Sequence, residues 1–293
     1  MQDFKGRTAV ITGAASGFGR EFARLGRSLG MRLVLADVEP AALEALAAEL
    51  GGQPEVLTMR VDVAASAQVA ELAALARRHF GAVHLLFNNA GVGSGGYIWE
   101  NSEQDWDWVL GVNLMGVVHG IRHFVPAMLE SSRAGEPAHI VNTASIAGWL
   151  NAPLMGVYNV SKQAVVSLTE TLYHDLQLAG SAVGVSLLSP AFVATGISRS
   201  HRARPEHLAN AGPITASQRT AQAQTQKAVE SGRISAAEVA KMTFDAIRAN
   251  RFYIFTHPQI LPLVGKRVRH AIEGLAPADV YEGRPDVRPQ VEG

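Results

Sequence analysis

Tyr158 and Lys162 stand four residues apart, with Ser145 a short distance before them. If the chain is helical from Met155 onward, the phenol and the ammonium share one helix face, one turn apart. An ammonium beside a phenol favours the phenolate and lowers its pKa. A phenol so shifted can exchange a proton with an alcohol or a carbonyl. Ser145 ends the segment from His139, which reads as a buried strand. A neutral hydroxyl at that place can hold a substrate oxygen while its charge changes. A Tyr-x-x-x-Lys spacing also arises on ordinary solvated helices, so the elements around it decide its meaning.

Those elements begin at the N-terminus. Arg7 to Thr12 is a β-branched run, the pattern of a buried parallel strand. Gly13, Ser16, Gly17, Phe18 and Gly19 follow at once, and then a segment of helical period to Leu29. Strand, glycine turn and helix are the context in which backbone N–H groups and a helix N-terminus receive a pyrophosphate. The next strand ends at Asp37. A carboxylate there accepts hydrogen bonds from an adenosine ribose and repels a 2′-phosphate. Two unit charges about 4 Å apart interact by roughly 4 kcal/mol at an effective dielectric near 20. Val38 and Glu39 come next and bring no cation, so NAD is expected over NADP. The competing role for Asp37 is a cap on the helix near Pro40.

With these residues in place, the chain resembles the short-chain dehydrogenase/reductase family over roughly residues 5–256. Thr12-Gly-Ala-Ala-Ser-Gly17-Phe-Gly19 is similar to the family's cofactor turn. Asp62 and Val63 correspond to its adenine-contacting pair, and Asn88-Asn89-Ala90-Gly91 to its Asn-Asn-Ala-Gly motif. The resemblance makes Asn113, Ser145, Tyr158 and Lys162 a catalytic tetrad, with Asn113 positioning a water for a proton relay. It extends cofactor contacts to Asn89, Ala90, Gly91, Pro190, Val193 and Thr195. Ala191 stands where the family usually has glycine. Alanine takes φ > 0 less readily, so a displaced loop is expected there. The C-terminal part is similar to a subgroup with bacterial aryl-alcohol and lignin-ether Cα-dehydrogenases.

The implied fold is a Rossmann-type, doubly wound α/β sheet of about seven parallel strands in the order 3-2-1-4-5-6-7, with helices on both faces. Strands are predicted at 7–12, 32–36, 56–61, 83–87, 138–143, 182–188 and 251–256. Helices are predicted at 17–29, 40–50, 66–79, 103–130, 156–179 and 235–249. Residues 1–257 then form one catalytic domain and 258–293 an extension whose last dozen residues are expected to be mobile. Residues 196–232 break the alternation and follow Thr195 directly, as a lid over the nicotinamide would. Gly93, Ser94, Ile146, Asn151 and Phe192 are the candidate substrate pocket, suited to a hydrophobic secondary alcohol or its ketone.

Composition narrows the rest. The 293 residues carry a formal net charge of zero and no cysteine. That gives no footprint for nucleic acid or an anionic membrane, and no disulfide or thiol chemistry. No apolar run reaches the ~18 residues of a membrane span. The first strand follows the start directly, so no signal peptide and a cytoplasmic location are expected. His119 and His123 have ligand spacing, but no carboxylate completes a metal motif and none is expected. Apolar residues on two sides of the helices near 103–130 and 156–179 (Val117, Val118, Ile121, Phe124, Val125; Val165, Val166, Leu168, Leu172, Leu176) predict burial by a second subunit, in a homotetramer or homodimer. An NAD-binding sensor without turnover and a sugar-nucleotide epimerase or dehydratase are the alternatives. The intact tetrad speaks against the first, and the missing second domain against the other.

Overall fold

The computed structural model describes residues 1–283 and 285–291. Seven strands form one sheet: β1 (Thr8–Thr12), β2 (Arg32–Asp37), β3 (Val56–Arg60), β4 (Leu85–Asn88), β5 (His139–Thr143), β6 (Gly184–Ser189) and β7 (Tyr253–Phe255). Their order is β3-β2-β1-β4-β5-β6-β7, and every pairing is parallel. β1 and β5 are buried along their whole length, and β1 reads as an unbroken apolar and β-branched run rather than as alternation. The chain crosses from one side of β1 to the other between β3 and β4, and a crevice opens at the strand C-termini there.

The helices are α1 (Gly17–Ser28), α2 (Pro40–Glu49), α3 (Ser66–Phe80), α4 (Glu103–Leu110), α5 (Gly116–Arg133), α6 (Gly156–Leu178), α7 (Ala216–Glu230), α8 (Ala236–Arg248) and α9 (Leu261–Ile272). One sheet face buries Phe4, Phe22, Phe87 and Phe244, with Phe22 and Phe87 stacked at 4.5 Å. The other buries Val34, Leu86, Phe124, Met128, Ile140 and Leu176. Among the described residues no helix is long and apolar enough to cross a membrane.

Four sequence expectations are corrected. The single helix foreseen over 103–130 is α4 and α5 joined by a π-helical turn, Gly111–Met115. The wider turn swings Asn113 into the core, fully buried. The 196–232 segment is not loop alone. It contains two 3₁₀ turns, Gly196–Ala203 and Glu206–Leu208, and α7, whose start is a capping box of Thr215 and Gln218. Past β7 the chain forms α9, and the chain beyond it is held at several described residues. Asp279, Tyr281 and Arg288 close a small cavity with Asn151 and Pro153, and Gln224 Nε2 of α7 donates to Val287 O at 3.1 Å. Finally, Val117, Phe124, Val125, Val165, Val166, Leu172 and Leu176 are buried within the chain itself, so they leave little apolar surface for a partner. The surface-exposed apolar residues in this region are Met115, Val160, Tyr173 and Leu178.

Candidate active site

The glycine turn is shaped by contact. A Cβ on Gly19 would stand 2.1 Å from Gly13 O, so only glycine lets α1 approach the end of β1. Gly13 itself has φ +65°, in the left-handed region. Ser16 is the N-cap of α1, yet its hydroxyl makes no capping bond. The turn is therefore a bare backbone cradle at a helix N-terminus, which fits a pyrophosphate. Thr12, not singled out in the sequence, ties this turn to the next loop. Its Oγ1 donates to Phe87 O and accepts from Asn89 N and Ala90 N at 2.9 and 3.2 Å. Thr195 lies against Gly17, at 3.3 Å from where a Cβ would be.

Asp37 closes the adenosine end. Its Oδ2 accepts from Ala15 N at 2.8 Å and its Oδ1 from Glu39 N at 3.1 Å. The N-cap of α2 is Glu39, so capping is not what Asp37 does. Burial raises the carboxyl above its ordinary value, and the backbone N–H groups oppose that shift. Two cations that the sequence reading passed over stand near by: Arg60 is the strand partner of Asp37, and Arg202 bonds Glu39. Neither has a recorded bond to Asp37. At the end of β3, Asp62 Oδ1 accepts from Ala64 N at 2.9 Å, and Val63 is buried.

The four tetrad candidates converge. Asn113 Oδ1 accepts from Val92 N at 2.8 Å, and its Nδ2 donates to Val92 O at 2.9 Å and to Ser161 Oγ at 3.0 Å. The side chain is thus committed to holding the loop after β4. Lys162 is buried, and its Nζ donates to Thr143 O at 2.9 Å. A Cβ on Gly91 would lie 3.5 Å from both Asn113 Oδ1 and Lys162 Nζ, so these two groups face the same small space. The Ser145 hydroxyl acts on Tyr158 in the direction that favours the phenolate. Ser145 Oγ also accepts from Ala147 N at 3.1 Å and lies 3.4 Å from Pro190 O.

The electrostatics differ from the expectation of a lysine-lowered phenol. Burial pushes the Tyr158 pKa up, and the Ser145 hydroxyl opposes that shift less strongly. Burial also pushes Lys162 down to about 8. Its ammonium lies 5.8 Å from the Tyr158 ring centroid.

Around this centre Gly93, Ser94 and Ile146 are partly buried, whereas Asn151 is exposed and Phe192 is 42% exposed, on the rim. Ala191 has no positive φ: among described non-glycine residues only Leu154 and Asn250 do, so alanine sits there without the expected strain. Leu154, buried with φ 62°, holds the loop before Tyr158, since its carbonyl accepts from Gly96 N at 2.9 Å. His119 and His123 bond Val63 O and Ser66 Oγ, and no group of three potential ligands forms among the described residues.

Residues 7–206 match the family model described as short chain dehydrogenase. The chain belongs to the short-chain dehydrogenase family. It is an oxidoreductase of that family, and two of its relatives span almost its full length. It is 36% identical over 284 residues to a CLA biosynthesis dehydrogenase/reductase of Lactiplantibacillus plantarum, covering 96% of this chain and 98% of that one. It is 32% identical over 281 residues to a C alpha-dehydrogenase of Sphingobium sp. SYK-6, covering 95% and 90%. The crystal structure of a short-chain dehydrogenase/reductase from Burkholderia phymatum in complex with NAD matches with a TM-score of 0.92 at 56% identity, covering 95% of this chain and 99% of that one.

Proposed function

We propose that this family member is an NAD-dependent dehydrogenase that interconverts a hydrophobic secondary alcohol and its ketone, with aryl-substituted alcohols as the narrower class. The carrying observation is the convergence of Tyr158, on which Ser145 acts to favour the phenolate, with Lys162 and Asn113 at the C-terminal ends of the strands. The NAD-bound relative and the C alpha-dehydrogenase support the cofactor and the substrate class.

Bound NAD supplies the hydride acceptor. Gly13, Ser16, Gly17, Phe18 and Gly19 would hold its pyrophosphate, Asp37 its adenosine ribose, and Asp62 and Val63 its adenine. Asn89, Ala90, Gly91, Pro190, Val193 and Thr195 would line the nicotinamide half. In the oxidative direction Tyr158 takes the hydroxyl proton while Ser145 donates to the substrate oxygen. Lys162, its ammonium anchored on Thr143 O, orients the nicotinamide ribose and favours the phenolate once the site is filled. Because the Asn113 amide is committed to Val92 and Ser161, its share in a water relay falls to the main chain of the π turn.

Gly93, Ser94 and Ile146 form the inner wall of the substrate pocket in this reading, and Asn151 and Phe192 its rim. In this reading residues 1–257 are the catalytic domain and 258–293 a C-terminal extension and tail. A cytoplasmic homotetramer, or a homodimer, remains our reading of the assembly, through the exposed Met115, Val160 and Tyr173. A panel of aliphatic and aryl secondary alcohols, followed by NADH absorbance, tests the function. Turnover of bulky secondary alcohols with NAD is expected. Turnover of none, in a protein that binds NAD, would contradict it.

A further inference from the structure

Three of the ties that hold the lid bear on where it lies. In its first part, Arg204 Nη1 donates to the buried Asp105 of α4 at 2.6 Å, with its guanidinium over Trp108. Ser200 Oγ accepts from Gly93 N at 3.0 Å. Both ties hold the lid to the substrate half of the crevice. The third goes elsewhere. Arg202 Nε donates to Glu39 Oε1 at 2.6 Å, across 163 residues of sequence.

Glu39 belongs to the adenosine end: its N–H donates to Asp37 Oδ1, and it stands at the N-cap position of α2 without a side-chain capping bond. Arg202 also borders the glycine turn through Gly196. A Cβ on Gly196 would stand 3.6 Å from Arg202 Nη2 and 3.9 Å from Ser16 Oγ. The guanidinium therefore runs from the Ser16 side of the turn to Glu39, over an open cleft floored by Val38, Pro40, Ala41 and Ala42. Both side chains are more than a third exposed, and a pair like this adds little to folding stability. Its distinguishing property is position: it joins the segment after Thr195 to the residue whose N–H donates to Asp37.

We infer that Arg202 and Glu39 form a clasp over the dinucleotide groove, two cofactor-retaining residues that lie outside the glycine turn. The lid then holds cofactor as well as substrate, and the clasp must open before the dinucleotide leaves. This inference rests on the NAD reading above. The energy available is that of an exposed ion pair, so the effect falls in the release rate and is modest.

The test is NADH release from the full chain, followed by fluorescence in a stopped-flow displacement experiment. Wild type, Arg202→Gln, Glu39→Gln, the double variant and the charge swap Arg202→Glu with Glu39→Arg are compared. Each single variant is expected to release NADH about two- to fivefold faster, the range of an exposed pair. The double variant is expected to be no faster than the faster single one, and the swap to restore slow release. Raising salt is expected to speed wild-type release and leave the double variant unchanged. Faster release from Arg202→Gln with none from Glu39→Gln would overturn the clasp, since Arg202 would then act on the cofactor directly. Unchanged release in both would overturn it as well. Failure of wild type to bind NADH at all would overturn the cofactor reading, a result distinct from either.

Discussion

Lys162 turns its ammonium to Thr143 O, at 2.9 Å, and meets Tyr158 only across the ring face, 5.8 Å from its centroid. The two groups are neighbours without being hydrogen-bonded partners. Burial raises the phenol and depresses the ammonium, so each is held toward its neutral form in the chain alone. A bound dinucleotide with a cationic nicotinamide changes that balance in favour of the phenolate. The Tyr158 phenol is therefore expected to titrate above its ordinary value in the chain alone and lower with NAD present. Ultraviolet difference titration of wild type against Tyr158→Phe isolates this group. Oxidation uses the phenolate, so its rate is expected to rise with pH and the rate of reduction to fall. A phenol that titrates below its ordinary value without NAD would contradict the assignment of burial as the dominant cause.

Gly19→Ala places a methyl 2.1 Å from Gly13 O if nothing moves. Relief requires shifting α1 or the turn, at about 1–3 kcal/mol. The expected outcome is a lower melting temperature together with NAD affinity weakened at least about tenfold, that is ~1.4 kcal/mol. Calorimetric titration with NAD measures it, and unchanged affinity would show that the turn does not hold the cofactor.

Asp37→Ser removes the charge that opposes a 2′-phosphate. It also removes the acceptor for Ala15 N and Glu39 N, so NAD affinity is expected to fall too. The ratio of catalytic efficiencies, NADP over NAD, is expected to rise about ten- to a hundredfold, since the bare charge interaction is of order 4 kcal/mol before solvent screening. Steady-state kinetics with both cofactors decides it. A ratio that does not move would place discrimination elsewhere, with Arg60 and Arg202 the next residues to vary.

Asn113→Ala leaves Val92 N, Val92 O and Ser161 Oγ without this partner in a buried place. Each unsatisfied buried group costs about 1–3 kcal/mol, and partial relaxation leaves an expected loss of roughly 2–4 kcal/mol. Urea denaturation reads this directly. A variant of wild-type stability would mean that the amide is not what holds the π turn.

What the sequence made legible follows from how local each signal is. β1, the glycine turn and α1 lie within one continuous stretch, and Asp37 ends the next strand, so the adenosine half could be read without tertiary information. The strand limits fell within about two residues, because buried runs such as Leu33 to Ala36 have clear ends. The π turn could not be read, since one altered hydrogen-bond pattern inside a helical period leaves no mark on composition. α7 is rich in Ala, Gln and Thr and lacks an apolar stripe, but Thr215 with Gln218 three residues on was an available capping signal. α9 buries no residue, so no core-facing period announced it. Ser161 and Thr143, which hold Asn113 and Lys162, stood within the recognised motif and were passed over because they bond to other side chains and not to a substrate. The pairing of Arg202 with Glu39 joins distant stretches and had no sequence signal.

The most direct test of the proposed chemistry is Tyr158→Phe, assayed for NADH formation from a turned-over secondary alcohol, with NAD affinity measured on the same preparation. The substitution removes one hydroxyl and keeps the ring. The expected result is NAD affinity within about twofold of wild type and turnover reduced by ~10²–10⁴-fold, the share of a general acid–base group. Turnover close to wild type, with NAD bound normally, would contradict Tyr158 as the proton-transfer group.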